Sequence, residues 1–319
     1  MSAKPTERNH YLPQFYLKSF LSNKIFWVYY KDGSGPIAQT PINTGVEKNL
    51  YTFKNPNGSK NDELERILGI AENNATEIIK NLSKPNARLD ANDISDLAIF
   101  FSFMATRVPN AINLAKELGE EIIRTKLIKF SKNLKEIQRV IDEVNSKEPR
   151  AINLSPEEIQ KAFSSPEEHF KFSLKKTLPM AISINQAVKL YYTFCQMNWC
   201  LYRAPSNIQF ITSDSPVVPF IRYRDGSATI GTGYGMKDVE VSIPISPHLC
   251  IIMSHKPRQK YIAASKKFVL KVNRRTAWNG EIFLISSNKT KYVSGLTDWA
   301  SRSKDFPKIN RKAVRRDFA

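Results

Sequence analysis

The strongest constraint on the fold is a change in hydrophobic patterning near residue 197 of this 319-residue chain. Before that point apolar residues recur every three or four positions, as at Leu64, Ile67, Leu68 and Ala71, which is the spacing of one buried helix face. After it, short stretches alternate or are rich in β-branched residues, which is typical of strands. We therefore predict an α+β fold: a helix-rich N-terminal and middle region, and a mixed, mainly antiparallel β-sheet built largely from the C-terminal third.

The same patterning gives approximate element positions. It predicts helices over Asp62–Leu82, Asp93–Arg107, Ala111–Ser146 (one helix or a pair), Pro179–Gln196 and Lys266–Trp278. It predicts strands over Lys24–Tyr30, Trp199–Arg203, Gln209–Thr212, Val217–Ile221, Val239–Ile245, Leu249–Ser254 and Glu281–Ser286.

Local signals add three short helices. Residues 1–9 have no ordering pattern, and a helix is predicted to begin at His10, because Pro13 suits a first turn. Two SPEE sequences, beginning at Ser155 and Ser165, have the composition of capping boxes and predict two further helix starts. The length fits a single domain over residues 1–319, with a soft internal boundary near residue 197 between a mainly helical 1–196 and a β-rich 197–319 with a basic tail.

Positive charge is concentrated at the C-terminal end. The chain has a formal charge of +18, and residues 251–319 contain 17 Lys and Arg against 4 Asp and Glu, a difference of +13. Such a field attracts polyanions, and phosphate backbones are the commonest in a cell. The alternative is that the charge only aids solubility. Clustering favours nucleic acid, and the absence of a Trp- and Leu-faced basic helix disfavours a membrane surface.

Several function classes lack their sequence signals. There is no secretory signal, no long apolar run and no CxxC pair, so we expect a cytoplasmic protein in which Cys195, Cys200 and Cys250 are reduced. The phosphate-loop, zinc-protease and serine-hydrolase motifs are missing. Gly231-x-Gly233-x-Gly235 lacks the lysine and helix of a phosphate loop, so we interpret it as a turn.

Two polar positions stand out in this otherwise unmarked sequence. On a helix, His10 and Gln14 would project from one face, and the helix dipole would help keep His10 neutral as a base. The alternative, which the sequence favours, is a structural His10 that caps the helix. Asp214 follows an apolar strand, where a carboxylate serves equally well as a metal ligand, a general acid or base, or an ordinary turn residue.

Three basic or amide positions complete the candidates. Arg107 ends an apolar helix, so burial would require an anionic partner, either a ligand phosphate or a structural carboxylate such as Glu65 or Glu72. Lys48 precedes an extended segment, and Asn273 lies on the basic helix.

At this point the motifs resemble those of a known family. The stretch 9–20, NHYLPQFYLKSF, resembles the HYvPqfYL opening of a widespread prokaryotic domain-of-unknown-function family, number four-two-three-eight. Residues 47–51 (EKNLY), the Arg107-x-Pro109 helix end, the TSDxP motif at 212–216 after Trp199, the strand at 242–246 and Asn273 match later parts of the same family. One position departs from it: Ser215 stands where the family often has Asn.

The resemblance implies a biological role and does not specify a chemical reaction. Some members are associated with defence against bacteriophages, which suggests an effector that harms nucleic acid or translation. The family's polar motif positions, which we take as candidate catalytic residues, are His10, Gln14, Lys48, Arg107, Asp214 and Asn273.

We interpret the chain as a defence effector acting on nucleic acid, most simply a ribonuclease. His10 would be the acid or base, Lys48 and Arg107 would hold the scissile phosphate, and Asp214 would orient His10 or act as a second acid or base. A magnesium scheme would use Asp214 and Glu47. The alternatives are a non-catalytic nucleic-acid-binding or phage-sensing module triggered by a phage protein, and an enzyme acting on nucleotides or protein. Nucleic-acid contacts are predicted for Lys271, Arg274, Arg275, Arg311, Lys312, Arg315 and Arg316.

Overall fold

The computed structural model describes residues 8–48, 50, 53–54, 60–61, 63–84, 87–148, 152–175, 177–222, 228–230, 233–257 and 260–302. The basic residues predicted at 311–316, residues 1–7 and Gly231 lie outside this part of the chain. Contacts divide the chain into two compact units. Unit 1 comprises the described residues of Met1–Ala111 and Ser183–Asp317, and unit 2 those of Ile112–Ile182. The predicted boundary near residue 197 is a different division and stays a prediction.

The helices follow the predicted order, with shifted ends. They are α1 (Gln14–Lys18), α2 (Glu63–Leu82), α3 (Ala91–Thr106), α4 (Pro109–Ser131), α5 (Leu134–Lys147), α6 (Pro156–Ser164), α7 (Pro166–His169), α8 (Thr177–Cys195), α9 (Lys266–Asn279) and α10 (Lys291–Arg302).

The strands are short and most lie in unit 1's two larger sheets. They are β1 (Arg8–His10), β2 (Phe26–Tyr30), β3 (Ile37–Gln39), β4 (Val46–Lys48), β5 (Phe53–Lys54), β6 (Lys60–Asn61), β7 (Asn198–Arg203), β8 (Thr212–Ser213), β9 (Val218–Arg222), β10 (Ala228–Ile230), β11 (Glu240–Pro244), β12 (Leu249–Ser254), β13 (Tyr261–Ala263) and β14 (Phe283–Ser286).

Unit 1 contains a six-stranded and a four-stranded sheet. The larger has the order β10-β9-β11-β12-β7-β13, in which only β13 and β7 run parallel. The smaller has the order β3-β2-β14-β8 and is antiparallel throughout. The predicted α+β class with a mixed, mainly antiparallel sheet is confirmed. Pairing of β2 with β14 also brings the N-terminal strands into the sheet of the C-terminal third.

The central strands of the two sheets are buried because they carry apolar side chains on both faces. Every residue of β12, LCIIMS, is buried, which is the pattern of a central strand. Helix α9 covers the six-stranded sheet by packing Val269 and Val272 against Cys200, Cys250 and Ile252. The two cysteines are buried core residues, consistent with their predicted structural role.

Helix α3 is the apolar support on which the candidate site is built. Asp90 and Asp93 form a reciprocal capping box at its N-terminal end. The Phe101 ring stacks on Trp199 of β7, with centroids 5.9 Å apart, and Phe100 contacts Phe15 of α1 at 5.2 Å. These contacts fix the position of the helix end that carries Arg107.

Unit 2 is helical and has its own small core. Ile137 and Ile141 of α5 pack with Ile159 of α6. The capping box predicted at Ser155 is confirmed, since its side chain and that of Glu158 exchange hydrogen bonds with each other's backbone. The box predicted at Ser165 is wrong: α7 does begin there, but the Ser165 side chain makes no capping hydrogen bond.

Two further expectations fail. The helix predicted from His10 is wrong, because residues 8–10 pair with β4 and the helix begins only at Gln14, after Pro13 in extended conformation. Non-local strand pairing overrides the local proline signal here. No helix was predicted after the last strand, so α10 was missed. Its 12 residues include Gly295 and Asp298 and few strongly apolar positions, so its helical pattern is weak.

No helix in the described ranges is by itself long and apolar enough to cross a membrane. Only α3 and α4, joined as a bent pair, pass a test of length and composition.

Glycine 45 provides a test of the N-terminal packing. Its φ is +66°, and an added Cβ would lie 2.7 Å from Cβ of Leu12. We expect Gly45→Ala to lower the free energy of unfolding by about 2 kcal/mol, because the left-handed conformation and the close approach both exclude a side chain. Urea denaturation followed by circular dichroism measures the change.

The matched control is Gly69→Ala in α2, where an added Cβ would meet nothing within 4 Å. There we expect stabilisation by roughly 0.5–1 kcal/mol, because alanine restricts the unfolded chain. Equal effects at the two glycines would contradict the described turn.

Candidate functional site

Two of the family's motifs meet in an antiparallel strand pair. Arg8 lies opposite Lys48, Asn9 opposite Glu47, and His10 opposite Val46. After β1 the chain turns, and the backbone N–H groups of Tyr11 and Leu12 both donate to the carbonyl of Gly45, at 2.9 and 3.3 Å. Strand pairing therefore brings the candidates His10 and Lys48 onto neighbouring strands, although they are far apart in the sequence.

Arg107 joins this strand pair to two helices. It caps the C-terminal end of α3 and is 1% exposed. Its Nε donates to the carbonyl oxygen of Tyr11 at 2.9 Å, and its Nη1 donates to a carboxylate oxygen of Glu72 on α2 at 2.7 Å. A guanidinium so deeply buried requires such a partner. The predicted pairing with a carboxylate is confirmed for Glu72, and the second bond ties Arg107 to the residue that directly follows His10.

Among the buried polar atoms next to these contacts that lack a hydrogen-bond partner in the described residues are Nη2 of Arg107 and Oδ1 of Asn9, whose residues are 1% and 5% exposed. The Asn9 amide is held by its other atom, since Nδ2 donates to Glu65. One donor and one acceptor are thus buried unsatisfied, which costs about 1–3 kcal/mol each. Folding alone does not require buried polar atoms to stay unsatisfied, and a bound polar ligand would supply the missing hydrogen bonds.

Sequence reasoning missed Asn9, because it was assigned to an unordered segment. The available signal was its place directly before His10 in the opening motif. The expected His10 and Gln14 face is wrong, because His10 lies in β1 and Gln14 is the first residue of α1. His10 and Gln14 are both half-buried. Side chains alternate along a strand, so His10 and Asn9 project from opposite faces of β1.

The remaining two candidates belong to a second group of contacts. The side chain of Asn273 is fully buried; its Oδ1 accepts from the N–H of Ile211 at 3.1 Å, and its Nδ2 donates to the carbonyl of Gln209 at 2.9 Å. The carboxylate of Asp214 accepts from the backbone N–H groups of Glu281 and Ile282 at 2.9 and 3.1 Å. Both side chains therefore fix backbone segments that lead into β8 and β14.

The environment of Asp214 changes its acidity. Burial raises the pKa of Asp214 to about 6, against the opposing effects of the two backbone N–H donors and the nearby charge of Lys31. A carboxyl group with this pKa is suited to general acid or base work. In the described part of the chain no hydrogen bond links Asp214 directly to His10 or Arg107.

A tyrosine connects the two groups of contacts. The hydroxyl of Tyr16 on α1 lies 2.6 Å from Oγ1 of Thr212, directly before the Asp214 turn, and donates to the carbonyl of Pro244 at 2.7 Å. Helix α1 therefore runs from the strand pair at His10 to the TSDxP motif. Tyr16 was within the recognised motif, but its role depends on contacts about 200 residues away in sequence, for which a single sequence carries no signal.

The predicted nucleic-acid contacts on α9 differ in accessibility. Lys271 and Arg274 are exposed. Arg275 is 9% exposed, forms an ion pair with Glu240 and lies over the Phe220 ring, 3.7 Å from its centroid. Its charge is neutralised inside the unit. The side chain of Lys48 is outside what the structure describes.

Metal-ligating side chains do not cluster in the residues described. No group of three or more His, Cys, Asp and Glu side chains there has the geometry to hold a metal ion.

Comparison with known proteins gives one match. The model of a family described as Protein of unknown function (DUF4238) matches residues 8–290. No curated protein matches the chain, and no solved structure does.

The raised pKa of Asp214 predicts a pH-dependent stability. The pKa is about 6 in the folded protein, against an ordinary value of 3.8 for an aspartate in an unfolded chain. The folded state therefore holds this proton more tightly. Its contribution, at most about 3 kcal/mol, is present below pH 4 and is lost as pH rises through 6.

We test this by urea denaturation of the wild type and Asp214→Asn between pH 4 and 7. Subtracting the free energy of unfolding of the variant from that of the wild type at each pH cancels the contributions of the other carboxylates. We expect the wild type to lose stability relative to Asp214→Asn as pH rises. A difference that is constant with pH would contradict the burial of a protonated Asp214.

Proposed function

Because the chain belongs to the DUF4238 family, whose description states no reaction, we propose a function from the site itself. We propose that the protein is an anti-phage defence effector that cleaves RNA, with its reaction centre at His10, Lys48 and Arg107. The observation that carries the proposal is the buried Nη2 of Arg107, which has no partner in the described part of the chain and lies beside the histidine-bearing strand.

An unsatisfied guanidinium N–H is suited to a phosphoryl oxygen. Nε and Nη1 of Arg107 are already fixed by Tyr11 and Glu72, so Nη2 is aimed without further loss of side-chain freedom. A donor held in advance stabilises charge that develops on phosphorus-bound oxygens during the reaction.

The proposed reaction uses no cofactor. His10 takes the proton of a ribose 2′-hydroxyl, and the 2′-oxygen forms a bond to phosphorus. The bond from phosphorus to the 5′-oxygen breaks, and that oxygen takes up a proton from water, leaving a 2′,3′-cyclic phosphate and a 5′-hydroxyl. Arg107 and Lys48 neutralise the phosphate. RNA is favoured over DNA because this route requires the 2′-hydroxyl.

The proposal gives Asp214 and Asn273 a positioning role. Their hydrogen bonds are to backbone groups. Thr212, which lies in sequence between Ile211 and Asp214, contacts the Tyr16 hydroxyl. Gln14, at the start of α1, remains a candidate substrate contact. A scheme in which magnesium binds Asp214 and Glu47 is tested by adding and withholding the ion.

A second candidate is a non-catalytic module that binds nucleic acid or senses a phage component. The observation in its favour is the near-complete enclosure of Arg107, which a structural ion pair with Glu72 also explains. The exposed lysine and arginine of α9 would then provide the binding surface.

Incubation of the purified protein with total tRNA, ribosomal RNA and plasmid DNA, with and without magnesium, distinguishes the two. We expect discrete RNA cleavage, and we expect His10→Ala to slow it by about 10²- to 10⁴-fold, the usual contribution of a general base. Mass spectrometry of the fragments should detect cyclic phosphate ends.

The matched control is His248→Ala, which removes an exposed histidine in the turn between β11 and β12. It should cleave at the wild-type rate. Tight binding without cleavage in all three proteins would refute the nuclease and support the binding module. Equal cleavage by wild type and His10→Ala would remove His10 from the reaction.

A further inference from the structure

One surface of unit 1 combines cations that have no acidic partner among the described residues with one exposed and one half-buried aromatic ring. It is formed by Lys267, Lys271 and Arg274 of α9 with Tyr292 and Trp299 of α10, and we name it the α9–α10 face. From its features we infer that the α9–α10 face binds a single-stranded segment of RNA, gripping its phosphates with the three cations and stacking its bases on the rings. The inference rests on the proposed action on nucleic acid and names the form of that substrate.

The three cations lie along one side of α9. Positions i, i+4 and i+7 share a helix face, so Lys267, Lys271 and Arg274 form a row about 10 Å long. All three are exposed. The helix buries Arg275 in an ion pair with Glu240, whereas the residues described contain no acidic partner for any of the three. Three unneutralised charges in a row are suited to successive phosphates.

Two aromatic residues of α10 lie near Arg274, at the C-terminal end of this row. Tyr292 and Trp299 are seven positions apart and so project from the same side of their helix. The guanidinium of Arg274 lies over the Trp299 ring, 5.7 Å from its centroid. Tyr292 is 37% exposed and near enough to Arg274 for that charge to act on it: burial raises the pKa of Tyr292, and Asn273 and Arg274 oppose the rise. Rings and cations therefore share one surface.

The contact between Arg274 and Trp299 prepares the surface for a ligand. A guanidinium held over an indole has lost part of its side-chain freedom, so less is lost when it meets a phosphate or a base. Its outer face is available, because Arg274 is exposed. RNA bases stack on aromatic rings and on arginine planes alike.

The aromatic component decides the form of RNA. Positive charge alone would bind any polyanion, including a nucleic-acid duplex or an acidic protein. Stacking on Tyr292 requires a base that is not already stacked and paired, as in single strands and loops. Asp298, the nearest acidic residue in sequence to Trp299, projects from a different side of α10, about 100° around the helix axis.

The test is fluorescence anisotropy with a labelled single-stranded 2′-O-methyl oligouridylate and, for comparison, a blunt 2′-O-methyl RNA duplex of equal length. The methylated probes cannot be cleaved by 2′-hydroxyl attack, so binding is measured apart from any reaction. We expect the wild type to bind the single strand more tightly than the duplex. Tyr292→Ala should weaken single-strand binding roughly tenfold and leave duplex binding unchanged.

Lys271→Glu should weaken binding of the single strand roughly tenfold and reduce its dependence on salt by about 0.7 per lost phosphate contact. The matched control is Lys161→Glu on α6, an exposed lysine whose reversal changes the net charge equally. Both substitutions are at exposed positions, so folding is retained, and circular dichroism checks this.

Equal weakening by Lys271→Glu and Lys161→Glu, or unchanged binding in Tyr292→Ala, would overturn the inference. Duplex binding as tight as single-strand binding would also overturn it, since that indicates charge alone. The test of the ribonuclease is separate. Single-strand binding with no RNA cleavage would refute only the ribonuclease activity. RNA cleavage that does not depend on the α9–α10 face would refute only the binding role of this face.

Discussion

The buried hydroxyl of Tyr16 is the interaction on which the arrangement of unit 1 depends. The carbonyl of Pro244 can only accept, so Tyr16 donates its one proton there, and the hydroxyl of Thr212 donates to Tyr16. Pro244 is in the six-stranded sheet and Thr212 in the four-stranded one. A single side chain thus connects both sheets inside the core, where an unsatisfied hydroxyl would be costly. Burial raises the pKa of Tyr16, which keeps it protonated for this role.

Neighbouring contacts extend the same connection. Ser19 donates to the carbonyl of Ile245, and Ser287 donates to that of Phe20, so the C-terminal end of α1 is hydrogen-bonded to the residues that directly follow β11 and β14. Since α1 follows β1 directly, its position determines where His10 and Asn9 lie relative to α3. The unsatisfied atoms of Asn9 and Arg107 are then held in place by a rigid frame, which is the condition for aiming polar groups at a ligand.

The sequence predicted the parts of the fold that depend on local pattern. Helices α2 and α3 follow from apolar spacing, and β12 follows from six consecutive apolar or small residues. The position of His10 did not follow, since its strand exists only through pairing with β4. The carboxylate partner of Arg107 could be narrowed to Glu65 or Glu72 from burial cost, but choosing Glu72 required the structure. Asn9 and the Tyr16 bridge depend on contacts remote in sequence, which no spacing rule encodes.

The central claim is that Nη2 of Arg107 receives a phosphate of the substrate. It is tested most directly by NMR of protein labelled with ¹⁵N-arginine, in which the ordered guanidinium of Arg107 should give resolved side-chain signals. Titration with uridine 3′-monophosphate is predicted to shift the Arg107 Nη signals, and Arg107→Lys identifies them by their loss. Unchanged Arg107 signals at saturating nucleotide, with the protein folded, would contradict the claim and leave Arg107 as a structural partner of Glu72.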